Sequence, residues 1–321
     1  MGEVGMLDLS VVIPVRNEEE NLYELVARLT RTLETMGKEY ELIFVTDINT
    51  DNTFARLKEI VQVNKNIKAI KLSNSYGQHI AAVAGLKKSI GQCVVIMDGD
   101  LQDLPEDIPS LYGKLLEGYD VVYGIKEKKN ESSIRNFLST LFNLAMSRLS
   151  DTAIEANTSM FRIVSRRTVE EILRFSERQL SLTHVISLIN FPTATVRVNS
   201  GKRFAGKTNY GFFRQLNMAI DTLLSFSTKP LRLVSAVGII VSALSLLYFV
   251  VVILQTLFWR VPVMGWPTIV GMIALLSGIQ LFGLGIIGEY IGRIFIESKK
   301  RPLYIIEEEV SNETYEGFST H

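Results

Sequence analysis

Two long stretches without a charged side chain constrain this chain more than any other feature: Leu233 to Trp259, and Thr268 to Ile287. They run for about 27 and about 20 residues, each enough for a helix to cross a hydrocarbon core of roughly 30 Å. A hairpin buried in a soluble core rarely carries two adjacent uncharged runs of this length. The pattern therefore predicts a two-helix transmembrane hairpin, about 233–259 and 267–288, within a membrane region of 231–292. Arg214, Lys229 and Arg232 precede the first run, and Arg293, Lys299, Lys300 and Arg301 follow the second, against Arg260 alone in the connection. Basic flanks stay on the cytoplasmic side, so both termini are expected there, in an inner-membrane, multi-pass arrangement.

Upstream the pattern changes. Residues 1–210 alternate short β-branched runs with amphipathic stretches: strand Leu9 to Pro14, helix Asn17 to Met36, strand Glu41 to Val45, helix Thr53 to Val63, strand Ile67 to Leu72, helix Ile80 to Ser89, strand Cys93 to Asp98. Such repetition predicts an α/β domain with a mostly parallel, Rossmann-like sheet, and ligands at the carboxyl ends of its strands. Between this domain and the first apolar run, segment 211–230 places Phe212, Phe213, Leu216, Ala219, Ile220, Leu223 and Leu224 at helical spacing. It reads either as an interfacial juxtamembrane helix or as an amphipathic helix packed on the domain. The tail, 293–321, is expected to be cytoplasmic and, from Glu307, loosely ordered, because it is acidic and poor in apolar residues.

Charge and cysteine narrow the function classes. Thirty-four basic residues balance 34 acidic ones, without the cationic excess that nucleic-acid binding needs. The one cysteine, Cys93, sits in an apolar strand pattern and supports neither a disulfide framework nor a cysteine metal site.

Asp98-Gly99-Asp100-Leu101-Gln102-Asp103 follows an apolar strand. Residues i and i+2 of an extended segment point the same way, so Asp98 and Asp100 can face one site. Their hard oxygens suit Mg²⁺ or Mn²⁺, with coordination positions left for a diphosphate; a solvated turn is the competing reading. Asp47, and Asn17 with Glu18, end two other predicted strands, where they can take base and ribose hydrogen bonds; Asn17, Asp47 and Asp51 also stand before predicted helices and can cap them. Lys126, Arg135 and Ser139, with Arg203 and Lys207 in a glycine-containing loop, offer basic and hydroxyl groups suited to a phosphate, although Lys126 also fits a solvated charged loop. His79 has no second histidine at ligand spacing and reads as structural.

With these residues in view, the sequence resembles the polyprenyl-phosphate glycosyltransferases, family-2 enzymes of the GT-A fold, over about residues 8–304. The resemblance rests on Val12-Ile13-Pro14-Val15-Arg16-Asn17-Glu18, Asn74-Ser75-Tyr76-Gly77-Gln78-His79, Met97 through Glu106, and Gly285 through Arg293. It implies a nucleotide-sugar donor, a polyprenyl phosphate acceptor, a membrane location and a homo-oligomer. Pro14, Asn17, Glu18, Asp47 and Asp98 would line the donor site. Asp98, Asp100 and Gln102 would hold the metal, Lys126, Arg135, Ser139 and Arg203 the acceptor phosphate. Asp98, Asp100 and Arg135 would carry catalysis. The chain departs from the family at Thr46-Asp47-Ile48-Asn49, where one carboxylate replaces two, at Ala156, and at Asn209, which stands for a lysine. A processive polysaccharide synthase and a catalytically silent scaffold of the same fold are the rival readings; the first lacks its Gln-x-x-Arg-Trp motif here.

Overall fold

The computed structural model describes residues 7–126, 160–177, 181–201, 229–259 and 265–312. They fall into two compact units: 7–126, 160–177, 181–201 and 302–312 form one, and 229–259 with 265–301 the other.

The first unit is built on an eight-stranded sheet: β1 (Leu9–Val15), β2 (Tyr40–Thr46), β3 (Ile67–Leu72), β4 (Cys93–Ile96), β5 (Val121–Lys126), β6 (Arg162–Ser165), β7 (Thr193–Val198) and β8 (Ile306–Val310). Its order is β7-β5-β6-β4-β1-β2-β3-β8. The β3-β2-β1-β4 centre is parallel, as the alternating pattern predicts; β6 runs antiparallel to both its neighbours, and β8 runs antiparallel to β3.

Period-two alternation sends the strand residues into two cores. Val11, Ile13, Leu42, Phe44 and Val95 pack beneath α1 (Leu22–Thr35), α2 (Thr53–Val63) and α4 (Ile108–Leu116). Val12, Ile43, Val45, Val94 and Ile96 pack on the opposite face against α3 (Gln78–Lys88), α5 (Arg166–Ile172) and α6 (Leu182–Ile189). In α1, Leu22, Leu25, Leu29 and Leu33 are fully buried at helical spacing, each worth about 1.5–3 kcal/mol of apolar burial. Gly37, at φ +62, closes that helix in the left-handed region.

Pro14 sits inside β1, where a proline needs a reason. In a parallel strand its missing N–H would face the β4 side, because Val12, two residues earlier, accepts from Met97 there. The β1–β4 ladder ends at Val12↔Ile96, so no ladder bond is lost.

Two expectations fail. Helix α1 starts at Leu22 rather than Asn17, because Asn17 takes φ +56 and spends its side chain on a neighbouring loop. The acidic tail is not loose at its start: Ile306–Val310 forms β8 and extends the sheet past β3. Lys58, Lys71 and Lys88 stand 2.5–2.7 Å from Glu308, Glu307 and Glu309, so partners from α2, β3 and α3 supply what the tail's own composition lacks.

The second unit holds α7 (Lys229–Trp259) and α8 (Trp266–Ser298). Ile239, Leu244, Leu247, Leu281, Leu284 and Ile294 are exposed along them. Within α8, Leu276–Ser298 is long and apolar enough to cross a membrane by length and composition. The helix runs past the expected end at residue 288, and Arg293 there pairs with Glu289 at 2.9 Å. The segment 211–228 lies outside the described residues.

Candidate functional site

From β1 the chain steps to β2 and β3 on one side, and α3 then carries it back to β4 on the other. Strand order reverses between β1 and β4, which opens a crevice at their carboxyl ends. The loops that gather there have two different characters.

The loops after β1 and β2 hold each other. Asn17 N–H donates to Asn49 Oδ1 at 3.1 Å, and Thr50 N–H donates back to Asn17 Oδ1 at 2.8 Å. Asn49 Nδ2 also reaches Thr46 Oγ1 at 2.6 Å and the Asp47 carbonyl at 3.2 Å. Asn49 thus supplies from its side chain what a glycine-containing turn would arrange through its backbone, and Thr46 is fully buried beneath it. Glu18 N–H donates to Thr53 Oγ1, and Glu19 accepts from Asn52. Asp51 takes Thr53's amide and hydroxyl; burial pushes its carboxyl up, but these bonds win and hold it below the usual range. Asp51 therefore plays the local turn role, whereas Asn17 and Asp47 cap no helix. Asp47, 6% exposed, accepts from Ser75 Oγ at 2.9 Å and lies 3.6 Å from Arg16 Nε.

The loop after β4 is charged. Gly99 is there because a Cβ would lie 2.5 Å from Val15 Cγ1, so the backbone of this loop lies directly against a β1 side chain. Leu101, buried, sits at φ +61, a strained conformation for a branched residue. The resulting turn folds Asp98, Asp100 and Asp103 into one cluster. Burial, then Asp103 and Asp100, push the Asp98 carboxyl up to about 7 against the pull of Lys126 and Arg162. Gln78, at the first turn of α3, donates to Asp98 Oδ1. Gln102 closes on Asp100 through its own amide and its side chain, at 3.1 and 2.8 Å. Asp103 is wholly buried; its Oδ2 accepts from Asp98 N–H at 3.1 Å, and Lys126 Nζ lies 2.6 Å from Oδ1 as an ion pair. The Arg162 guanidinium, fully buried, lies 5.1 Å from the Tyr123 ring centroid and donates to Met160 O and Thr183 Oγ1. Burial pulls it below its usual value, with Tyr123, Asp98 and Asp103 opposing. Burial, and then Arg162, lower His79 to about 4, so that ring is neutral at physiological pH.

Pro14, Asn17, Glu18, Asp47, Asp98, Asp100, Gln102 and Lys126 all fall at this end of the sheet. Lys126 is the last residue of β5 rather than part of a solvated loop. Arg135, Ser139 and Arg203 lie outside the described residues, as do Ala156, Lys207 and Asn209. Gln78, Asp103 and Arg162 join the cluster without having been singled out by sequence. Arg162 carries a signal in retrospect, as a lone charge in the apolar run Phe161-Arg162-Ile163-Val164.

The donor set fits a hard divalent cation. Asp98 and Asp100 offer carboxylate oxygens, and the raised Asp98 marks a surplus of negative charge that a cation would relieve. Among the described residues no three Asp, Glu, His or Cys group tightly enough to hold an ion unaided.

Comparisons with known proteins identify the family. The model of the family "Glycosyl transferase family 2" matches residues 10–173, and that of the "GtrB C-terminal hairpin" matches 229–294. The chain is 37% identical over 303 residues to the uncharacterized glycosyltransferase sll0501 of Synechocystis sp., covering 94% of this chain and 95% of that one. It is 35% identical over 302 residues to the uncharacterized glycosyltransferase YkcC of Bacillus subtilis, with 94% of each covered. Among solved structures, glucosyl-3-phosphoglycerate synthase from Mycobacterium tuberculosis, in complex with Mn²⁺, uridine diphosphate and phosphoglyceric acid, aligns with TM-score 0.48 at 20% identity, over 68% of this chain and 78% of that one.

Proposed function

We propose a transfer onto polyprenyl phosphate for this chain, which belongs to glycosyl transferase family 2 and carries a GtrB-type C-terminal hairpin. Family membership makes it a nucleotide-sugar glycosyltransferase, and the hairpin match suggests membrane association. The finer reading is an inverting transfer from a UDP- or GDP-sugar to undecaprenyl phosphate at the cytoplasmic face, for modification of cell-envelope glycans. The observation that carries it is the charged β4 loop at the switch point, in a chain whose next unit is a pair of helices with exposed apolar faces.

The donor nucleotide lies along Pro14, Asn17, Glu18 and Asp47, whose loops are already cross-linked and need no reordering. Asp98 and Asp100, with Gln102 beside them, would hold Mg²⁺ or Mn²⁺, which would supply charge neutralisation to a departing diphosphate. Gln78 and Gln102 orient those two carboxylates. The acceptor is a phosphate monoester with a second pKa of about 6, largely dianionic at neutral pH, so no strong general base is required. Arg135, Ser139 and Arg203 hold it opposite the leaving group for in-line attack, while Lys126 is engaged by the buried Asp103. The hairpin spans the membrane twice with both termini cytoplasmic, following its basic flanks.

Incubating detergent-purified protein with a panel of UDP- and GDP-sugars, undecaprenyl phosphate and Mn²⁺ should yield one sugar in the lipid-extractable fraction. Turnover on a soluble acceptor with none on the lipid phosphate would sink the acceptor assignment and leave the transferase intact.

A further inference from the structure

Asp103 stands behind the pair that faces the crevice and touches three separate segments. Its Oδ2 accepts the Asp98 amide at 3.1 Å, its Oδ1 meets Lys126 Nζ at 2.6 Å, and its backbone bridges to Ser200. Next to it, Gly201 N–H donates to the Gln102 carbonyl at 3.1 Å, and a Cβ on Gly201 would lie 2.1 Å from Leu101 O. The loop is thus clamped from both sides, by the end of β5 and by the chain leaving β7, while Leu101 is held at φ +61 between the clamps. A backbone so strained persists only where its surroundings over-determine it.

We propose that Asp103 is a positioning residue for the cation-facing pair. It holds the Asp98 amide so that Asp98 and Asp100 present their oxygens to one point, and Lys126 acts through it as the counterion that lets a full carboxylate stay buried there. Asp103 itself is fully buried, so it touches neither cation nor substrate. A buried carboxylate costs too much to keep as loop filler alone; paired with one ammonium and one amide it becomes a fixed strut. The Asp98 carboxylate is consequently held by Gln78 from one side while its amide is held by Asp103 from the other.

The inference rests on reading Asp98 and Asp100 as the cation-facing pair, and the test separates the two. Mn²⁺ binding to the full-length protein in detergent, without acceptor, is followed by electron paramagnetic resonance in the presence of UDP and, in parallel, GDP. Asp103→Asn should weaken Mn²⁺ binding roughly 10- to 100-fold, the range for groups that orient metal ligands, while the KM for acceptor stays within about threefold. Lys126→Met should weaken Mn²⁺ binding in the same direction by a smaller factor. The double variant should be no worse than Asp103→Asn alone, because the two side chains act as one unit. Asp100→Asn is the control and should lose Mn²⁺. If Asp103→Asn fails to fold, Lys126→Met decides. If Asp100→Asn loses Mn²⁺ but the folded Asp103 and Lys126 variants bind within threefold of wild type, or Asp103→Asn lowers only Tm, the positioning role falls and the site reading stands. If Asp100→Asn keeps Mn²⁺, the site reading falls and takes the inference with it.

Discussion

The sheet carries two acidic triplets that share a charge and almost nothing else. Glu307, Glu308 and Glu309 lie on the edge strand β8, each beside its own lysine, with side chains 36–47% exposed. Asp98, Asp100 and Asp103 lie at the end of β4, where Lys126 pairs with Asp103 and both Lys126 and the buried Arg162 pull on Asp98. The first group is neutralised one for one and simply fastens a strand. In the second, burial and then the neighbouring Asp103 and Asp100 outweigh Lys126 and Arg162 at Asp98, a local surplus of negative charge, and its carboxyl rises to about 7. Surplus charge that folding tolerates at a strand terminus, beside a crevice, fits the proposed cation site.

The largest effect should come from cutting into the surplus. Asp100→Asn should lower kcat/KM for transfer by more than about 100-fold, roughly 2.7 kcal/mol, because a cation with few protein ligands loses a charged one. If more than about a tenth of the rate survives at saturating Mn²⁺, Asp100 does not face the cation.

The same surplus should destabilise the cation-free protein, and its pH dependence gives the sign. Asp98 titrates near 3.8 unfolded and at about 7 folded, so between those values the folded state binds more protons. Stability is then lost as pH rises through the window from about 4 to 7, and the full penalty is present above it. Asp98→Asn should therefore raise the stability of the cation-free protein at pH 8 by roughly 1–4 kcal/mol while abolishing transfer. A variant less stable than wild type at pH 8 would show that Asp98 is not charge-stressed.

How much of this was legible in the sequence follows from how local each feature is. The β1-to-β4 alternation and the Asp98-Gly99-Asp100 pattern are written within a few residues and could be read directly. Strand β8 could not: Lys71 and Glu307 are separated by 236 residues, and three consecutive glutamates look like a solvated tail until their lysines are in place. Asn17 looked like a helix start, yet its side chain is committed to Thr50 across the neighbouring loop. Asp103 and Gln78 carry no local signal, because their partners Lys126 and Asp98 stand 20 or more residues away. Their roles depend on which strand end β5 and α3 bring beside them.

A neutral contact at the same crevice provides the intermediate case. Asn49 makes three hydrogen bonds that fix the loops after β1 and β2. Asn49→Ala should cost about 1–2 kcal/mol of stability and raise the donor KM a few-fold, with Mn²⁺ affinity unchanged. A change in Mn²⁺ affinity instead would mean that the two sides of the crevice are not separable.

The smallest effect should come from the paired triplet. Replacing Glu307, Glu308 and Glu309 together by Gln keeps the length, polarity and strand pairing of β8 and removes only the three ion pairs. Exposed pairs contribute about 0–1 kcal/mol each, and these three also lose side-chain entropy in being held, so the variant should unfold about 1 kcal/mol more easily at low ionic strength. At about 1 M salt the difference between the variant and wild type should shrink, because exposed ion pairs weaken as salt screens them. Transfer rate should be unchanged throughout, since the three pair with Lys58, Lys71 and Lys88 rather than with residues of the loops after β1, β2 and β4. A penalty above about 3 kcal/mol that persists in high salt would mean the glutamates are desolvated like Asp103. A loss of transfer with the fold intact would mean the edge strand reaches the chemistry, and the contrast between the two triplets would collapse.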